Sequence, residues 1–109
     1  MTELEKTIQK LLDFRDERDW KQFHNSKDLA LAISIEASEL LELFLWKDNE
    51  DVDIPKLKEE LADVLSFCLL LADKHKLDIN QIISEKIAEN NLKYPVSKAK
   101  GNATKYDKL

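Results

Sequence analysis

Residues 29–46 read LALAISIEASELLELFLW, a run apolar throughout except for Ser34, Ser38, Glu36, Glu39 and Glu42. A helix that is apolar nearly all round is buried nearly all round. At about 100° per residue, Glu36 and Glu39 fall roughly 60° apart, on the side that also carries Leu29, Ala32, Leu40 and Leu43. Two carboxylates therefore point into an apolar face, while Glu42 falls toward its flank and reads as an ordinary solvated acid. The opposite side, with Ala30, Leu31, Ala37, Leu41 and Leu45, is apolar as well. Few other helices remain in so short a chain to cover both sides. A subunit interface is expected, in a homodimer at least.

Working outward, Asn25 or Ser26 can cap this helix, with Asp28 favourable in its first turn, so the spacing predicts a helix from about Lys27 to Trp46. Before it, Leu4, Ile8, Leu11, Leu12 and Phe14 recur at helical spacing and predict a first helix from Thr2 to about Trp20. After the acidic loop KDNEDVD, Asp53 and Pro55 start a third helix that reaches about Lys76. Asp78 with Gln81 three residues on opens a fourth, from Ile79 to Asn91. Pro95 and Gly101 oppose helix, so residues 1–94 are expected to form the helical domain and 95–109 an extended tail.

The totals agree. The chain has 109 residues, one Gly and two Pro. That is one domain with too few turn residues for a many-stranded fold, hence an all-α protein. Its formal charge of -5 opposes direct binding to a nucleic-acid polymer or an anionic membrane. Any phosphate ligand then needs a mediating cation. Cys68 is the single cysteine and sits in the apolar run VLSFCLLLA, where a small buried hydrophobe is expected. No stretch approaches the length of a membrane span, and the N-terminus lacks the apolar core of a signal peptide, so a cytoplasmic protein is expected.

On the third helix the same arithmetic sets Glu60 and Asp63 together, flanked by Leu57, Val64, Phe67 and Leu71. In a chain with 36% charged residues, acid pairs three apart also line solvated faces. These two pairs differ in placement, since Lys47, Lys56 and Lys58 lie at helix ends while the acids sit mid-stripe. Converging carboxylates in an apolar setting repel one another and take up protons unless a cation compensates. Oxygen ligands without cysteine or paired histidine suit Mg²⁺, with Mn²⁺ as the alternative.

The blocks ERDWKQFH, LALAISIEASELLELFLW, EELADVLSFCLLLA and KIAENNLKYPVSKAKGNATKY, over nearly the whole chain, resemble the MazG-like nucleoside triphosphate pyrophosphohydrolases, and within them the small dCTP pyrophosphatase type. The signature Glu-x-x-Glu, spacer, Glu-x-x-Asp appears as Glu36, Glu39, Glu60 and Asp63. The resemblance implies a four-helix bundle formed by paired subunits, often a tetramer of two dimers. It implies Mg²⁺-dependent cleavage of a nucleoside triphosphate, dCTP or a related deoxynucleotide, to the monophosphate and pyrophosphate. Glu36, Glu39, Glu60 and Asp63 match the family's metal ligands. Trp20, His24 and Trp46 match positions near base and sugar, and Lys86, Asn90 and Tyr94 match positions that contact substrate.

Residue chemistry is consistent with those roles. Bound Mg²⁺ neutralises triphosphate charge and acidifies a coordinated water. Glu36 or Glu39 could take that water's proton, Lys86 could meet phosphate, and the indoles of Trp20 and Trp46 could stack on a base. His75, at a helix C-terminus, reads as structural. Two positions depart from the dCTP type. Phe67 stands where relatives place Tyr, and Leu11 where a polar residue can occur, so hydrolysis of several deoxynucleotides is expected. A di-iron bundle would require Glu-x-x-His, but Lys21 and Ala72 occupy the positions three before His24 and His75. The non-catalytic rival is a helical dimerisation or antitoxin-like binding module whose acids meet a basic partner.

Overall fold

The computed structural model describes residues 1–109 and is all-helical, with no strand. Its elements are α1 (Glu3–Glu17), α2 (Ser26–Glu42), α3 (Ile54–Lys74), α4 (Ile79–Lys93) and the single-turn α5 (Val96–Ala99), with 3₁₀ turns at Lys21–Phe23 and Tyr106–Lys108. The chain divides into two compact units, Met1–Lys76 and Leu77–Leu109.

Each long helix starts where a short polar side chain can satisfy an otherwise unpaired backbone N–H. Thr2 Oγ1 accepts from Glu5 N at 3.1 Å, Asn25 Oδ1 from Asp28 N at 2.8 Å, Asp53 Oδ1 from Lys56 N at 3.4 Å and Asp78 Oδ1 from Gln81 N at 2.9 Å. Pro55 occupies the first turn of α3, where its missing N–H costs nothing.

In the first unit α3 packs along α2 and also against α1. Leu29 of α2 and Leu70 and Ala72 of α3 form the buried core. The start of α2 is tied to the end of α3 by a 2.8 Å hydrogen bond between Ser26 Oγ and His75 Nε2, which gives His75 its structural role. The α1 end is a Schellman turn. Asp19 adopts a left-handed conformation (φ 54), its N–H donates to Asp16 O, and Trp20 N–H donates to Arg15 O at 3.1 Å. That turn folds Trp20 back on its own helix.

Two expectations are corrected. The α-helical ladder of α2 ends at Glu42 rather than Trp46. Leu43, Phe44 and Leu45 instead donate three residues back, to Leu40, Leu41 and Glu42, and Trp46 ends the segment at φ 61. With no glycine at hand, Trp46 itself takes the left-handed position that stops a helix. The segment after Pro95 is not extended throughout. Pro95 cannot continue α4, but its fixed φ of -60 suits the start of a new turn, and its carbonyl accepts from Lys98 and Ala99 N–H at 2.9 Å. Gly101 (φ 80) then reverses the chain, with Asn102 N–H donating to Ala99 O. Within this second unit Tyr106 packs edge-to-face on Tyr94, their ring centroids 6.0 Å apart.

Candidate active site

The acids of α2 and α3 meet. Glu36, Glu60 and Asp63 each offer a carboxylate oxygen within 4.8 Å of the others. Glu39, one turn from Glu36, stands close enough to share hydrogen bonding with both Glu36 and Glu60. Glu42 is exposed, as its place on the flank requires. Partial burial first, then hydrogen bonding to Glu39 and the charges of Glu39, Asp63 and Glu60, push the Glu36 carboxyl up to about 7. Burial and the charge of Glu39 likewise raise Glu60.

Nothing in the chain compensates this charge. The ion pairs of the structure involve Glu3, Asp16, Glu17 and Glu89, and none of the four clustered acids. Glu36 Oε2 and Glu60 Oε2 are occluded from solvent and lack a hydrogen-bond partner. Orphaned anionic oxygens in a group of like charges are costly without a cation. A site built only of carboxylate oxygens fits a hard divalent metal.

Next to this cluster, between α1 and α3, lies a cavity of about 390 Å³. Its walls are Leu11, Phe14, Trp20, His24, Phe67 and Leu70, with polar groups at Arg15, Ser66 and Asp63. Asp63 therefore borders both the cavity and the acids. The Schellman turn sets Trp20 edge-on to Phe14 at 5.7 Å, and His24 meets Phe67 edge-on at 6.5 Å. His24 Nδ1 is buried without a partner. Burial, followed by the nearby Arg15 charge, lowers the His24 pKa, so the ring is neutral at pH 7. Planar aromatic walls beside a metal-suited acidic cluster can hold a flat ring at one end of a ligand and its anionic groups at the other.

The other residues singled out in the sequence fall elsewhere. Trp46 is fully exposed and does not line the cavity. Lys86, Asn90 and Tyr94 belong to the second unit, spaced four apart along α4 and its cap, with Lys86 Nζ 3.3 Å from Glu89. Phe14, Arg15 and Ser66 were not singled out as site residues. The rule that exposed the acids could have found Arg15. Four residues after Leu11, it puts a charge on the stripe of Leu4, Ile8 and Leu11.

Comparison with known proteins gives concordant results. The model of the MazG-like family matches residues 31–109. The protein named dCTP pyrophosphatase 1 from Mus musculus is 40% identical and that from Homo sapiens 35%, each alignment taking in 89% of this chain. The chain spans 62% of the length of those relatives. A pyrophosphatase of known structure from Archaeoglobus fulgidus superposes with a TM-score of 0.82 at 35% identity, covering 87% of this chain and 94% of that one.

Proposed function

Because the chain belongs to the MazG-like family, we propose that it hydrolyses nucleoside triphosphates, dCTP or a related deoxynucleotide, to the monophosphate and pyrophosphate. The observation that carries this reading is the meeting of Glu36, Glu39, Glu60 and Asp63 with no cation of the chain among them. These four would hold Mg²⁺, which Mn²⁺ could replace. When bound, the metal supplies positive charge to the triphosphate and acidifies water. Trp20, His24 and Phe67 orient the base in the neighbouring cavity and exclude water from it. A carboxylate of the Glu36–Glu39 pair accepts the proton of the attacking water. The anhydride bond between the α- and β-phosphorus breaks, and the leaving pyrophosphate carries its charge out. By resemblance to the family, Trp46, Lys86, Asn90 and Tyr94 are also proposed to contact substrate.

The test is incubation with each deoxynucleoside triphosphate and Mg²⁺, followed by separation of the products. Monophosphate with pyrophosphate is expected. Release of single phosphates, or no turnover of any nucleotide, would sink the proposal.

The reading includes self-association into a dimer, or a tetramer of two dimers, that completes a four-helix bundle. What supports it is the outward side of α2 and of the turns that follow it, which leaves Leu31, Ile35, Leu41 and Leu45 exposed, with Leu41 at 66%. Leu61 and Leu65 of α3 are exposed as well. Monomers rarely leave such apolar patches uncovered. Light scattering should give a dimeric or larger mass for the native chain and a monomeric one for Leu41→Glu; a monomeric native chain would refute pairing. No helix is long and apolar enough to cross a membrane, and a cytoplasmic setting, among free nucleotides rather than nucleic-acid polymers, goes with the proposed substrate.

A further inference from the structure

Arg15 is the only buried charged residue of the chain, at 9% exposure. Its guanidinium makes one hydrogen bond, from Nε to Asp16 Oδ1 at 2.8 Å, and that carboxylate is itself half exposed. Neither Nη amino group has a protein acceptor, yet neither is sealed off, because only His24 Nδ1, Glu36 Oε2 and Glu60 Oε2 are occluded without partners. Arg15 is one of the residues that line the aromatic cavity. It also lines a second, smaller cavity, together with Lys21, Lys74, Lys76 and the carboxylate of Asp73. A buried guanidinium whose outer fork lacks an acceptor is poised for a ligand.

We infer that Arg15 is the specificity-determining residue for the base, donating its paired Nη hydrogens to the adjacent O2 and N3 acceptors of cytosine. This rests on the pyrophosphohydrolase reading and adds the means by which one pyrimidine is preferred. The two Nη groups form a planar donor–donor edge. Cytosine presents an acceptor–acceptor edge at O2 and N3, whereas uracil and thymine carry N–H at position 3, which would face a donor. The rest of the cavity leaves the task to Arg15. Leu11 and Phe67, at the two positions where the sequence departs from the dCTP type, both line the wall and offer no hydrogen bond. His24 lines the same wall, but its unpartnered Nδ1 is occluded and does not face the cavity's free space.

The experiment compares dCTP with dUTP on the native chain, Arg15→Gln and Arg15→Lys. It is run twice, as kcat/KM with Mg²⁺ and as calorimetric binding of dCMP and dUMP without metal. The native chain should prefer cytosine by about tenfold or more, the discrimination typical of a bidentate contact. The preference should collapse in both variants, mainly through KM. Gln offers one donor and one acceptor and so accommodates the uracil edge, and Lys keeps the charge but loses the fork. Equal use of dCTP and dUTP by the native chain overturns the inference without any variant. So does a preference retained in either variant that folds, or an equal loss for both nucleotides, which would assign Arg15 to phosphate or to structure. If no triphosphate is cleaved, the pyrophosphohydrolase reading fails, and the dCMP–dUMP binding comparison still decides the role of Arg15.

Discussion

The two ends of the candidate site, both built on α3, are put together differently. At the Glu60–Asp63 end the chain gathers like charges from α2 and leaves two carboxylate oxygens occluded and without partners. One turn further on, at Phe67–Leu70, it gathers aromatic and aliphatic walls from α1 and the turn after it, and buries one cation, Arg15. The acidic end is electrostatically incomplete and calls for a metal. The aromatic end is a formed cavity that calls for a flat ligand. In the proposed reading chemistry and recognition are separated by about one helical turn, with Asp63 bordering both, and each should be open to damage without the other.

The largest effect should come from the acidic end. Glu60→Gln removes a proposed metal ligand and should lower kcat/KM by roughly a thousandfold or more, acting on kcat, while nucleotide monophosphate binding is largely preserved. A loss that appears only in KM would move Glu60 out of the chemistry. Glu42→Gln, on the exposed flank of the same helix, should leave turnover within about twofold. The opposite pattern is expected at the aromatic end. Trp20→Ala should raise KM by about ten- to a hundredfold, the value of one base-stacking contact, with a smaller change in kcat. If both substitutions give the same profile, the division between the two ends is wrong.

The smallest effect, and the one that isolates the electrostatics, is on stability. Glu36 has a folded-state pKa of about 7 against an ordinary 4.5. Between those values the folded chain holds a proton that the unfolded chain has released, so the stability this group contributes is present below about pH 4.5 and is lost as pH rises through 7. In metal-free buffer the native melting temperature should therefore fall across that window more steeply than that of Glu36→Gln. Mg²⁺ should raise the native melting temperature at pH 7.5 and raise that of Glu36→Gln less. If Mg²⁺ shifts neither, and Glu39→Gln or Glu60→Gln simply stabilises the fold, the acids are not a metal site.

The same division governs what could be read in the sequence. The acidic end depends on two pairs spaced three apart, a local pattern, so Glu36, Glu39, Glu60 and Asp63 were visible as charges on apolar stripes. Three of the four N-caps were visible for the same reason, Asp53 and Asp78 directly and Asn25 as one of two candidates with Ser26, each being a single side chain bonding within its own first turn, whereas Thr2 was read as part of its helix. The aromatic cavity depends on where the turn after α1 lands against α3, a long-range fact. Trp20 and His24 entered as site residues only through a family resemblance, Phe67 was placed beside the acids by helical spacing but linked to substrate only by that resemblance, and Arg15 was passed over although it breaks its stripe as the acids do. Helix ends set by backbone geometry were read least well. Trp46 in a left-handed conformation and the α5 turn after Pro95 leave no pattern in composition or periodicity.

The most direct test of the central claim is to follow dCTP, Mg²⁺ and the native chain by phosphorus NMR, beside the same mixture with Glu60→Gln. Appearance of dCMP and pyrophosphate signals with the native chain, and their near absence with the variant, is the predicted result. Signals of dCDP and free phosphate, or equal pyrophosphate release by both proteins, would contradict it.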